Sequence, residues 1–326
     1  MQNIPEVVSQ GFYEDGISKV EALSGGIVNL SLLVTDKLGQ RSVLQRLSPI
    51  FDERVVGDTA VVTNYLKQRG WEVPVPLLAY GSQCVVQDES DNLWRSSSYI
   101  SCDRSTPKGE PEVAIALASL LGKFHADLAE LDSTPSFHIP NFHDIDYHIG
   151  RLSLTVENPE IDWHTRELAE WAIRASNELG RVEGEAQVIH GDPKTQNALY
   201  RAGQPFTFID FDTLMIGSPM VDLGDLLRSL IGSRRSDSKP MSNAEIIEVI
   251  TAYFISAGRP IDIEKALKAA RIISLELCAR FINDIVDDIY FEWDSTRFKS
   301  RAEHNAHRAR KQLKTYKSIS KLAGEV

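Results

Sequence analysis

Val188-Ile189-His190-Gly191-Asp192-Pro193-Lys194-Thr195-Gln196-Asn197, followed by Phe208-Ile209-Asp210-Phe211-Asp212, is the stretch that decides how this chain reads. An apolar run delivers His-Gly-Asp into a turn, and Asn197 follows Asp192 by five positions. A second apolar run then ends in Asp-Phe-Asp. One carboxylate, one amide and a second carboxylate at the edges of short buried strands are the side chains a phosphoryl-transfer site needs. Asp192 can orient a substrate hydroxyl and take its proton, because an aspartate is ionised at neutral pH. Asn197 and Asp210 offer the hard oxygens that Mg²⁺ prefers. An Asp-Pro pair also makes plain turns. What lifts Asp192 above that reading is the company of Asn197 and Asp210. Asp212 reads as an additional metal ligand, as a residue supporting the ligands from behind, or as the cap of the next turn, and Lys194 as a further candidate beside the base.

His190 has two readings, as a metal ligand in a hydrolase-like cluster with Asp192, Asp210 and Asp212, or as a residue that holds the loop through hydrogen bonds. No second His-x-His or His-x-Asp pair stands at a convincing position, so the structural role is the better one. His138, His143 and His148 fall in one polar region and are expected to face solvent or substrate.

Working outward, the chain from Ile17 to Ile100 has the texture of short strands around one helix. Val20–Leu23, Asn29–Val34 and Arg41–Leu47 read as strands, with Asp36–Gln40 as a hairpin turn between the last two. A helix is predicted from Asp52 to Arg69, stopped by Gly70. Cys84–Gln87 and Trp94–Ile100 are strand-like again. The polar run Ser101–Pro107 marks a boundary, dividing an N-terminal lobe over residues 1–100 from a larger one over 101–326. Pro111–Leu131, Trp163–Leu179, Ala244–Ala257 and Ile263 onward, in several pieces, read as helices.

Two features of the first lobe bear on a nucleotide. Ser24-Gly25-Gly26-Ile27-Val28-Asn29 sits between strands, and the backbone of Gly25 and Gly26 can approach phosphate closely because glycine has no side chain. The pattern is neither Gly-x-x-x-x-Gly-Lys-Ser/Thr nor Gly-x-Gly-x-x-Gly, which sets aside Walker-type ATPases and dinucleotide folds. The next strand offers Arg46 as a permanent cation for phosphates. Glu53 and Asp58 on the following helix are both candidates to pair with it.

Composition bounds the rest. The 326 residues are 42% apolar and 25% charged, an ordinary globular mixture large enough for two lobes. A net charge of −11 argues against general nucleic-acid or anionic-membrane binding. The basic stretch from Arg297 to Lys321 is spaced like a solvated helix. Cys84, Cys102 and Cys278 are scattered, with no metal or disulfide spacing. The N-terminus lacks the plan of a signal peptide, and no apolar run approaches the roughly 18 residues of a membrane span. The expectation is a cytoplasmic protein without membrane or nucleic-acid partners; the sequence says nothing of its oligomeric state.

These residues resemble the aminoglycoside phosphotransferase and choline kinase superfamily. His190-Gly191-Asp192 with Asn197 looks like its catalytic loop, and Ile209-Asp210-Phe211-Asp212 like its metal-binding segment. The likeness is closer still to the N-acetylhexosamine 1-kinase-like branch. That branch shows patterns similar to Val43-Leu44-Gln45-Arg46-Leu47 with Phe51, Trp94-Arg95 with Tyr99-Ile100, Ile139–Asp144 and Ile209–Gly217. Asp222-Leu223-Gly224-Asp225 with Arg228, and His304-Asn305 with Arg308–Leu313, complete it. The resemblance covers about Leu23 to Leu313. It departs at Pro193, where the branch more often has Thr, and at Gly25-Gly26. The resemblance implies an α+β, protein-kinase-like two-lobed fold, with a small antiparallel N-terminal sheet plus helix and a larger, mainly helical C-terminal lobe. It also implies ATP and Mg²⁺ as cofactors, Asp192 as base, Asn197 and Asp210 as metal ligands, and Tyr99, Ile100 and Ser101 as the hinge that meets adenine. Arg308, Tyr290 and His143 become candidate acceptor contacts. The acceptor is a small-molecule hydroxyl, foremost the anomeric hydroxyl of an amino sugar, with choline, homoserine, methylthioribose or an aminoglycoside as the alternative. A nucleotide-binding sensor and a metal hydrolase remain as readings of other classes.

Overall fold

A computed structural model describes residues 4–23, 29–103, 110–159, 161–232, 241–288 and 290–324. Gly25 and Gly26 lie outside the described residues. In chain order the elements are α1 (Glu6–Phe12), β1 (Ile17–Ala22), β2 (Leu30–Asp36), β3 (Arg41–Arg46), α2 (Arg54–Gln68), β4 (Pro76–Leu77), β5 (Val86–Gln87) and β6 (Leu93–Ser98). Then come α3 (Pro111–Leu128), α4 (Ile145–Thr155), α5 (Trp163–Leu179), β7 (Gln187–Ile189), β8 (Ala198–Arg201), β9 (Gln204–Phe208) and β10 (Met215–Gly217). The chain ends with α6 (Pro219–Gly232), α7 (Asn243–Ser256), α8 (Ile263–Asp287) and α9 (Arg301–Leu322). An antiparallel N-terminal sheet and a larger helical part make this an α+β fold, as the resemblance implies.

The chain divides into two compact units. One takes in residues 1–106, 127–139 and 196–216. Among its described residues the strands β1-β2-β3-β6-β4 lie side by side in that order, with β5 also on β6, and every pairing is antiparallel. The β2–β3 hairpin turns where the sequence predicts. Asp36 Oδ1 accepts the amides of Leu38 and Gln40, each at 2.8 Å, and Gly39 takes a φ of 83° that its missing side chain permits. One sheet face buries Leu32, Val34, Leu44 and Trp94 against Val8 and Tyr13 of the α1 region, a helix the sequence reading passes over. Leu47, Phe51, Val55, Val56 and Phe137 form a second cluster around the start of α2. That helix stops at the predicted glycine. Gly70 has φ 85°, its amide reaches Lys67 O and the Trp71 amide reaches Leu66 O, the paired bonds that satisfy terminal carbonyls.

The other unit takes in residues 107–126, 140–195 and 217–326. One apolar cluster joins α4, α5, α8 and α9 through Ile149, Leu152, Ala169, Ala172, Leu275, Ala279, Ile282 and Ala309. The pieces expected after Ile263 are one continuous helix, α8, followed by α9. Side-chain caps set the starts: Asp144, Asp162, Asp262 and Ser300 accept the amides of Tyr147, Thr165, Lys265 and Glu303. Helix α6 approaches α8 closely at Gly224, where a Cβ would stand 2.8 Å from the Ala269 carbonyl carbon.

Candidate active site

In the helical unit, β7 carries the buried Val188 and Ile189 and ends at His190, which is fully buried. The backbone that follows is clamped by one carboxylate. Asp222, buried on α6, accepts the His190 amide at Oδ2 and the Gly191 amide at Oδ1, each at 2.8 Å. His125 Nε2 adds a third contact to Oδ2 at 3.0 Å, and its Nδ1 meets the Tyr253 hydroxyl at 2.8 Å. Burial alone would raise the Asp222 carboxyl. The hydrogen bond and charge from His125, with the His190 contact, outweigh it and hold the carboxyl below the ordinary aspartate value.

Gly191 turns with φ 82°, and Asp192 follows, half-buried. Its amide donates to His190 Nδ1 at 3.3 Å, and its carboxylate pairs with the Lys194 ammonium. His190 therefore acts on the loop from within the core, in keeping with the structural reading.

His143 is not at solvent. Its side chain is 4% exposed, with Nε2 2.6 Å from the Gly191 carbonyl oxygen and Nδ1 3.2 Å from Glu276 Oε2 on α8. Burial works against a charged imidazole, but the charge of Glu276, its hydrogen bond and the Gly191 carbonyl raise His143 to about 9. At neutral pH it is an imidazolium that donates to the residue before Asp192. Arg308, on α9, donates to Asn305 Oδ1 at 3.0 Å and lies over the Phe281 and Phe291 rings, while the Tyr290 ring is half exposed.

The sheet-bearing unit holds the other candidates. Asn197, buried, directly precedes β8, and Asp210 follows β9 by two residues, exposed and in the left-handed region at φ 66°, ψ 57°. The β8–β9 hairpin brings the two neighbourhoods together: Ala198 pairs with Phe208, and the Ile209 amide donates to Asn197 O at 2.8 Å. The predicted amide and carboxylate thus flank the open end of one hairpin, one before its first strand and the other after its second. A neutral and an anionic oxygen donor are the kinds of ligand that a Mg²⁺ ion takes together with phosphate and water oxygens. Among the described residues no group of three or more His, Cys, Asp and Glu forms a metal cage.

Asp212 is buried, and both its oxygens are engaged: Arg95 Nη1 at 2.5 Å and Nη2 at 2.8 Å, with Asn29 Nδ2 at 2.7 Å. Arg46 is exposed at the end of β3. It stands opposite Trp94, so it shares the α1-covered face with Leu44, whereas Gln45 stands opposite Arg95 on the other face. Among the described residues neither Glu53 nor Asp58 forms an ion pair with Arg46. Asp58 instead accepts the amides of Ser136 and Phe137. Tyr99 and Ile100, half-buried, and Ser101, exposed, follow β6; the Arg41 guanidinium lies 3.9 Å from the Tyr99 ring centre, and Arg201 donates to Ser101 O.

Sequence reasoning assigned no role to Arg95, Asn29, Asp222, His125 or Glu276. Arg95 and Asp222 do fall in patterns quoted for the resemblance. Burial, the property that gives them their roles, is not visible in a pattern of residue types.

Solved structures share this fold. An aminoglycoside phosphotransferase from Alicyclobacillus acidocaldarius is similar over 100% of this chain and 98% of its own, at 15% identity and a TM-score of 0.62. The amicoumacin kinase hAmiN, in complex with AMP-PNP, Ca²⁺ and Ami, is similar over 92% of this chain and 88% of its own, at 15% identity and a TM-score of 0.63. A choline/ethanolamine kinase family protein from Mesorhizobium loti is similar over 94% and 92%, at 16% identity and a TM-score of 0.59. The model of the phosphotransferase enzyme family matches residues 19–254, well over half of the 326, and the chain belongs to that family.

Proposed function

We propose that this phosphotransferase is an ATP- and Mg²⁺-dependent small-molecule kinase whose acceptor is the anomeric hydroxyl of an N-acetylhexosamine or a related sugar. The observation that carries the kinase chemistry is the β8–β9 hairpin, whose strands bring the backbone at Asn197 beside Ile209, next to Asp210, with Asn197 five residues after Asp192 and with Asp222 holding the two amides before Asp192. In this reading Asp192 accepts the proton of the acceptor hydroxyl as its oxygen bonds to the γ-phosphorus. Lys194, already paired with Asp192, offers a positive charge to the phosphoryl group in transit. Asn197 and Asp210 would hold Mg²⁺, which when bound offsets the charge of the nucleotide phosphates. Residues 1–100 form the nucleotide-binding lobe, with Tyr99, Ile100 and Ser101 as the adenine hinge, and residues 101–326 the catalytic and acceptor lobe.

The sugar rests on the patterns around Gln45-Arg46, Asn141-Phe142-His143 and Asp210–Gly217 that resemble the N-acetylhexosamine 1-kinase-like branch. Choline, homoserine, methylthioribose or an aminoglycoside is the second reading, and the net charge of −11 is compatible with the cationic ones, choline and the aminoglycosides. No helix among the described residues is long and apolar enough to cross a membrane, and we place the enzyme in the cytoplasm.

The test is ADP release with Mg-ATP across hexosamines, choline, homoserine, methylthioribose and aminoglycosides, in the wild type and in Asp192→Asn. The expected result is turnover with a hexosamine, lowered about 10²- to 10⁴-fold by Asp192→Asn with Mg-ATP binding retained. Turnover confined to choline, homoserine, methylthioribose or an aminoglycoside would replace the sugar with the second reading. An Asp192→Asn protein as active as the wild type would remove the base, and one that binds metal more weakly would favour a metal-site role.

A further inference from the structure

In the sheet-bearing unit one buried guanidinium gathers the segments around the Asp210 turn. Arg95, on β6, grips Asp212 with both terminal nitrogens and donates its Nε to Gln45 Oε1 on β3 at 3.0 Å. Asn29, at the mouth of β2, donates to Asp212 Oδ2 and accepts the Ser48 amide at 2.8 Å. The Arg95 and Asp212 side chains are 7% and 3% exposed. A fork-on-carboxylate pair of this kind fixes angle as well as distance. Two residues earlier, Asp210 holds a left-handed backbone, which costs a non-glycine residue some energy although Asp tolerates it better than most.

We propose that Arg95, Asp212 and Asn29 form a positioning lock that ties the turn carrying Asp210 to the sheet, and that Asp212 works through this lock and not as a metal ligand. A metal bound to Asp212 would have to share oxygens that already accept three hydrogen bonds, and would stand beside the buried Arg95 guanidinium, whose positive charge opposes a second cation. The lock also takes the place of the expected pair between Arg46 and an acid on α2: the buried cation is on β6, and its acid is on the Asp210 turn. Its importance for catalysis rests on the reading of Asp210 as a metal ligand; its existence does not.

The test has two arms. In the nucleotide-free chain, amide hydrogen exchange over residues 209–214 is expected to quicken about tenfold in Arg95→Met and in Asp212→Asn, the coupling of one networked pair, and less in Arg95→Lys. The double variant should exchange no faster than the quicker single one. Wild-type exchange rates in both single variants would overturn the lock. In the second arm, a fluorescent ATP analogue is titrated with Mg²⁺. The Mg²⁺ requirement should move alike in Arg95→Met and Asp212→Asn, and less than in Asp210→Asn. If Asp212→Asn raises it as far as Asp210→Asn while Arg95→Met leaves it unchanged, Asp212 is a metal ligand and the proposal fails. A wild type that binds no Mg-nucleotide would overturn the kinase reading and leave the exchange arm to decide the lock. Should Arg95→Met fail to fold, Arg95→Lys and Asp212→Asn make the same comparison.

Discussion

The buried His143 imidazolium should write itself into the pH dependence of stability. The unfolded chain titrates this histidine near 6.5, whereas in the folded protein Glu276 and the Gly191 carbonyl raise it to about 9. Below 6.5 both states carry the proton and the pair contributes in full. Between 6.5 and 9 only the folded state holds it, so stability falls as pH rises, and above 9 the contribution is gone. The gap of about 2.5 units, at about 1.4 kcal/mol each, amounts to roughly 3 kcal/mol. That figure belongs to the pair and is counted once, because the lowering of Glu276 reflects the same attraction. Arg280, Nη1 3.5 Å from Glu276 Oε1, keeps the carboxylate partly compensated when the imidazole is neutral, and His148 and Asp225 are the other titratable groups that act on the pair. Urea unfolding from pH 6 to 10 measures the effect as the difference between wild type and His143→Gln. The wild type should lose roughly 3 kcal/mol relative to the variant across that window. Parallel curves for the two proteins would refute an imidazolium at this position. In the same series, kcat should fall with the alkaline limb in the wild type, because the imidazolium donates to the carbonyl one residue before Asp192.

Two further outcomes follow from buried contacts. Asp222→Asn keeps the shape but turns an NH₂ toward at least one of the three donors that Asp222 accepts; it should cost about 1–3 kcal/mol in denaturant unfolding and lower kcat, and an unchanged midpoint would contradict the clamp. Gly224→Ala drives a methyl to within 2.9 Å of the Ala269 carbonyl oxygen, where neighbouring backbone has to move, so a loss of about 1–3 kcal/mol is expected and a neutral result would show α6 free to shift.

Where sequence revealed structure, a local signal was sufficient. Gly70 ended a helix because a left-handed residue there closes the last carbonyls, and Asp36 built a hairpin with its own side chain. Trp163–Leu179 matched its helix end to end, with an apolar face and an Asp cap. Helix α6 escaped notice because two acids and a glycine interrupt its apolar pattern, and all three are buried for reasons of partnership and close packing. Asn197 and Asp210 were legible as residue types at a telling spacing, though their common hairpin was not. For the nucleotide-side cation, Arg46 was the visible choice on β3. Which face a strand residue takes depends on pairing register, and the register puts Gln45, not Arg46, beside Arg95. A buried arginine whose acid lies 117 positions away leaves no local trace.

The β8–β9 hairpin makes the fidelity of the candidate metal pair a matter of alignment. An isolated two-stranded ribbon has little stability of its own, and a slip of one residue would exchange the faces of every side chain along it. Its ladder is irregular between Leu199 and Tyr200, so a shifted strand would meet the irregularity in the wrong place and lose bonds instead of trading them. The defect serves as a key. Residues added at the tip, around the left-handed Ala202 and Gly203, would lengthen the ribbon at its far end while Asn197 kept its bond to Ile209. Insertions at that end would disturb the bond from the Gly203 amide to Asp103 Oδ2 and leave the end nearest the candidate ligands in place.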